Sequence, residues 1–154
     1  MYPCVLQRFA SKKTTVNSLV ASGYTTAVVD NSSWYHMAKL SCSVAIFEGK
    51  RELAVEKMMK YYTKMLSMLQ KCGMTAIHLV RDGADLPSKA KTNKGRAEKR
   101  AAKAAKAEAL RGKAGNTHEY TKACQSACGR EQWLEHAVAL KAAGTYGQMT
   151  VTFD

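Results

Sequence analysis

The chain has 154 residues, enough for one domain with a real hydrophobic core and too few for two of ordinary size. No run approaches the roughly 18 consecutive apolar residues of a membrane span, and no apolar block near the start has the pattern of a secretory signal, so a soluble intracellular protein without a membrane partner is expected. Twenty-four Lys and Arg against twelve Asp and Glu give a net charge of +12, which points to a polyanion, nucleic acid first.

Five cysteines (Cys4, Cys42, Cys72, Cys124 and Cys128) form an odd, scattered set. Such a set predicts reduced thiols rather than a disulfide framework, which suits cytoplasm or nucleus. The first acidic residue is Asp30, and the basic, Ser/Thr-rich stretch before it keeps a mitochondrial transit peptide as an alternative.

Residues 25–30, Thr-Thr-Ala-Val-Val-Asp, are short, β-branched and apolar. That pattern predicts a strand buried on both faces of a parallel sheet and ending in a carboxylate. Residues 52–72 place Val55, Met58, Met59, Tyr62, Met65, Leu66 and Leu69 at helical spacing with lysines between them, and Gly73 follows as the expected C′ residue. The methionine-rich stripe is read as core packing rather than a ligand groove. Residues 76–80 form a second apolar strand, closed by Arg81, Asp82 and Gly83. Strand, helix and strand in about fifty residues predict a right-handed βαβ unit, with Asp30 and Asp82 at the carboxyl ends of two parallel strands. In open α/β sheets that rim is where ligands bind.

After Pro87 the character changes. Residues 89–113 hold ten Lys/Arg and two Glu, a local charge of +8 and two thirds of the net charge. The segment is rich in helix formers but, apart from Ala and Leu110, offers no apolar stripe wide enough to dock on a core. A helix of this kind is expected to span solvent or to be ordered by a partner. From residue 120 to 143 an amphipathic pattern returns, with Trp133, Leu134, Ala137, Val138 and Leu140 marking a packed helix that Gly144 and Gly147 end. Residues 149–153 read as a third strand.

Two aspartates at neighbouring strand ends would repel each other, and a divalent cation is the ordinary way to hold such a pair. Magnesium suits two carboxylates plus substrate phosphate, because it keeps several of its waters. The plainer alternatives are a helix N-cap for Asp30 and a turn for Asp82-Gly83. The lysines of residues 89–113 would neutralise phosphates and make affinity fall with salt; the plainer alternative is a solvated charge run. Cys124, Cys128 and His136 match no standard zinc spacing. No Gly-rich phosphate loop and no Ser/His/Asp triad is recognisable, and no small-molecule cofactor is expected.

Two strings carry a resemblance. Val28-Val29-Asp30-Asn31-Ser32-Ser33-Trp34-Tyr35-His36 resembles the V-D-x-x-x-W-L-H stretch of the flap-endonuclease and exonuclease-1 (XPG-type) 5′ nuclease family. Ile77-His78-Leu79-Val80-Arg81-Asp82-Gly83-Ala84-Asp85-Leu86-Pro87-Ser88-Lys89 resembles its L-V-F-D-G-x-x-L-P-S-K. Both are most similar to exonuclease 1, and the likeness runs in order over nearly the whole chain.

The resemblance implies an α/β, PIN-like nuclease fold with a parallel central sheet and flanking helices. It implies one domain over residues 1–154: a βαβ core over 1–88, a basic helical arch over 89–119, and a helix and third strand over 120–154. It implies a monomer in the nucleus that acts on DNA with a 5′ end, flap or nick by two-metal phosphodiester hydrolysis with Mg²⁺ or Mn²⁺. Carried over by position, Asp30 and Asp82 would be metal ligands. Lys89 and Arg96 would be catalytic arch cations on the scissile phosphate; Lys99, Arg100 and Lys103 would contact the strand, and His36 would pack against the DNA. A cation clamp on charge developing at both oxygens is what two-metal hydrolysis needs.

The departures are specific. Tyr2, Pro3 and Val5 replace the pattern of the family's Met-Gly-Ile-x-Gly-Leu opening, of which only Leu6 agrees, and Arg81 stands in place of an aromatic. The family's Glu-Ala-Asp cluster would begin where Thr152-Phe153-Asp154 closes this chain, so an incomplete active site with weak metal binding is expected. The competing expectation is a non-catalytic DNA-binding remnant of the family.

Overall fold

The computed structural model describes residues 15–81, 90–113, 115 and 117–153. Its elements run α1 (Val16–Ala21), β1 (Thr26–Asp30), α2 (Asn31–Phe47), α3 (Arg51–Lys71), β2 (Ala76–Val80), α4 (Ala90–Leu110), α5 (Thr117–Ala127), α6 (Gln132–Ala142), β3 (Gly144–Tyr146) and β4 (Met149–Phe153). This is an α/β architecture around a four-stranded, mostly parallel sheet of order β1-β2-β4-β3. β1 pairs in parallel with β2, and β2 with β4, while β3 returns antiparallel to β4.

Helix α3 forms where its stripe predicts. Val55, Met58, Tyr62, Leu66 and Leu69 are buried along one face. Gly73, at φ +93°, closes the helix: its N–H bonds Gln70 O and the following Met74 N–H bonds Leu69 O, the paired bonds of a Schellman cap. A Cβ there would lie 3.1 Å from Val20 of α1, so the turn is also closely packed. Helix α2 buries Trp34, Tyr35, Ala38, Cys42 and Ala45 against α3, and Trp34 meets Tyr62 edge to face at 5.6 Å.

Three expectations are corrected. The first is the strand buried on both faces. Ala27, Val29, Ile77, Leu79, Met149 and Val151 turn toward the helical layer, but Val28 is 72 % exposed and Thr26 and Asp30 are exposed with it. The described helices cover one face of the sheet, and β1 lies at its edge. Two consecutive valines fit an edge strand as well as an interior one, so composition could not separate the two.

The second is the undocked arch. Helix α4 packs on α5, where Ala107, Ala123 and Cys124 make a small second core with Leu110, Tyr120, Val44 and Phe47 around it. Alanine lets helix backbones approach closely, so a narrow stripe suffices. The third is the single helix over residues 120–143, which is two helices, α5 and α6, broken between Ala127 and Gln132. The break is held from α2: Lys39 Nζ donates to Cys128 O at 2.8 Å, and Tyr35 Oη accepts from Glu131 N at 2.8 Å. Beyond α6, Gly144 and Gly147 frame a strand as well as ending a helix. Gly147, at φ +61°, opens the two-residue turn between β3 and β4.

Candidate functional site

The parallel register brings the carboxyl ends of β1 and β2 level, with Asp30 opposite Val80. Asp30 is exposed at the sheet edge and is the N-cap of α2, its Oδ1 accepting from Ser32 N at 2.8 Å. The plainer reading of this residue therefore holds, and it leaves the second carboxylate oxygen to other partners. Asp82, which follows Val80 by two residues, and Lys89 both lie outside the described residues.

Directly behind Asp30 is a buried polar network that the sequence did not signal. Asn31 has no exposed surface, and its side chain accepts from Tyr62 Oη and donates to Glu135 Oε1 at 3.1 Å. Glu135, 4 % exposed, is held in turn by two bonds from Arg130, of 2.8 and 2.9 Å. A carboxylate removed from water needs such partners, and the bidentate guanidinium supplies them. The network joins the start of α2, the middle of α3 and the first turn of α6, so it fixes the carbon skeleton on which Asp30 stands. Residues 31 and 135 are far apart in sequence, and no local pattern pairs them.

Among the described residues no group of three His, Cys, Asp or Glu side chains is placed to hold a metal ion. Cys124 and Cys128 are buried, and Cys128 Sγ donates to Ser43 O at 3.3 Å, while His136 is exposed on α6. Burial pushes the Cys42 and Cys128 thiols up to about 11, so neither is a ready nucleophile. The four described cysteines are free thiols.

The basic residues divide into two sets. Arg96, Lys99 and Lys103 are exposed along α4 at the spacing of one helical face, and Lys106 continues the row. Arg100 differs: it is half-buried, with its guanidinium side lying over Gly129, where an added Cβ would come within 3.4 Å. Its charge also helps to depress the ionisation of Lys39, which burial already lowers. Arg100 therefore secures α4 to the α5–α6 connection. His36 is exposed on α2, one turn and a half past Asp30.

Between α4 and α5 lies a notch of about 380 Å³, lined by Lys103 and Lys106 from one helix and His118, Glu119 and Lys122 from the other. None of these three lysines forms an ion pair with a described residue. His118 and Lys122 were missed in the sequence; their i, i+4 spacing was visible, but their facing α4 was not. No described helix is long and apolar enough to cross a membrane. Set against known proteins, the sequence matches no family model and no curated relative.

Proposed function

We propose that this chain is a nucleic-acid-binding α/β domain of the 5′ nuclease type, in which the α4–α5 hairpin holds a strand by its phosphates beside the rim that carries Asp30. The observation that supports the reading best is the cationic row on α4, whose members form no ion pair with a described residue and which has Lys122 of α5 across the notch, in a chain with a +12 charge. Lysines without carboxylate partners are placed to release counterions from a phosphate backbone, which is the main source of affinity in such complexes. Sequence-specific contacts are not needed for this mode; Arg96, Lys99, Lys103, Lys106 and Lys122 would track the strand.

The cutting activity that the resemblance implies would use Mg²⁺ or Mn²⁺ at Asp30 and Asp82. The described residues do not by themselves make that site, since Asp82 lies outside them. The non-catalytic reading is favoured by the capping role of Asp30, whose Oδ1 accepts from Ser32 N. The test is incubation with a labelled 5′-flap or recessed-end duplex and Mn²⁺. Product that disappears in Asp30→Ala and in Asp82→Ala establishes the nuclease; tight binding without product establishes the binding remnant. If DNA affinity is unchanged by neutralising Lys99, Lys103 and Lys106 together, both versions fail.

A further inference from the structure

Away from the rim and the basic notch, α3 and α6 run side by side in the same direction. Arg51 meets Trp133 at one end, and Gln70 Nε2 donates to Tyr146 O just past the other. Between them lies an open groove of about 1170 Å³. Its floor is apolar: Val55 and Met59 from α3, Trp133 and Ala137 from α6. The Trp133 ring is capped by the Arg51 guanidinium, 5.2 Å from its centroid, and Lys141 stands at the far end. The apolar floor with charged guards at both ends has the form of a groove that could take the apolar stripe of a helix.

We infer that this groove docks an amphipathic helix of a partner protein whose apolar stripe is flanked by acidic residues. Lining residues recur at helical spacing over residues 52–63 and 133–141, a length of about 13–17 Å, which accommodates roughly three turns of a helix. The charge at the groove favours an acidic partner. Lys60 is already paired with Glu56 at 2.8 Å, which leaves Arg51 and Lys141 opposed by Glu52. On a chain of +12 the long-range field adds to this local excess: it attracts an acidic segment and repels a second copy of the same chain. The inference rests on the helical layer alone and is independent of the nuclease reading.

The test uses three synthetic peptides of fifteen residues on the whole chain: one with leucines at i, i+3, i+4 and i+7 and glutamates elsewhere, a scrambled peptide of the same composition, and a version with lysine for glutamate. Binding is read by tryptophan fluorescence and by anisotropy of labelled peptide, with far-UV circular dichroism to confirm folding. The amphipathic acidic peptide is expected to bind about tenfold or more tighter than either other peptide. Ala137→Glu and Lys141→Glu should each weaken it about tenfold, whereas Lys103→Glu with Lys106→Glu on α4, which lowers only the long-range field, should weaken it less than either groove variant. Equal binding of the scrambled peptide overturns the inference, as does binding lost with the α4 pair and kept in both groove variants. A dimer in sedimentation equilibrium that Ala137→Glu dissolves would also overturn it, by making a second copy the occupant.

Discussion

The two cores of this protein are built on different principles. Under the sheet, large side chains with no exposed surface, Met58, Tyr62, Leu66, Ile77, Leu79 and Leu134, interlock α2, α3 and α6 with three strands. Under α4, the buried residues are Ala107, Ala123 and Cys124, and most of the helix surface is charged. Apolar burial stabilises in proportion to area, so the first core holds the fold and the second contributes little beyond seating one helix on another. The difference suits the proposed binding role, a rigid platform with a basic hairpin that could adjust to a strand, since segments with few buried contacts open at low cost.

The sharpest way to test that contrast is a deletion in each core. Leu66→Ala removes a fully buried side chain and should cost about 3–4 kcal/mol of global stability, read as a fall in the urea midpoint. A loss under 1 kcal/mol would mean that the sheet core is not the stabilising unit.

Next in size is an alkaline effect belonging to the interior thiols. Cys42 and Cys128 ionise at about 11 in the fold and at the ordinary 9.0 when released. The folded pKa is raised, so stability is full below pH 9 and declines as pH rises toward 11. By pH 10 each thiol should have removed a little over 1 kcal/mol, roughly 2–3 in all. The buried phenols of Tyr35 and Tyr62, also raised by burial, extend the decline above pH 10. Urea midpoints at pH 8 and 10 should differ less in the Cys42→Ala, Cys128→Ala double variant; an unchanged difference would assign the slope to other groups.

Glu135→Ala comes third. It leaves the buried Asn31 amide without its acceptor while Arg130, whose side chain is 38 % exposed, can hydrate. A cost of about 2 kcal/mol follows from the unsatisfied amide, and Glu135→Gln should recover part of it. Equal losses in the two variants would show that the Arg130 pair, not the Asn31 bond, is what matters. The smallest global effect is expected in the second core. Ala107→Glu should release α4 from α5, raising amide exchange in those helices and shifting the global urea midpoint by less than about 1 kcal/mol. Cooperative loss of the whole fold would show that the two cores act as one.

Much of the scaffold was readable from local pattern. The stripe from Val55 to Leu69 specified α3 and its buried face, Gly73 its end, and the apolar runs around Val28 and Leu79 two parallel strands. Each of these rests on interactions between residues a few positions apart, or on periodicity that a single element must satisfy. The candidate site was readable only in its charges. That Arg96, Lys99 and Lys103 share an exposed face follows from helix geometry, but Arg100, one position past Lys99, turns inward to Gly129 because α4 docks on α5.

By itself the sequence determined α3 with its buried face and its end, the apolar runs that become β1, β2 and β4, and that positive charge is concentrated in residues 89–113. Tertiary structure decided which face of the sheet is covered, where the long amphipathic stretch breaks, and that Asn31, Tyr62, Arg130 and Glu135 meet behind Asp30. The physical reason is the range of the forces. Periodicity and capping act within a few residues and are written along the chain, whereas a buried hydrogen bond between positions 31 and 135 depends on the whole packing that brings them together.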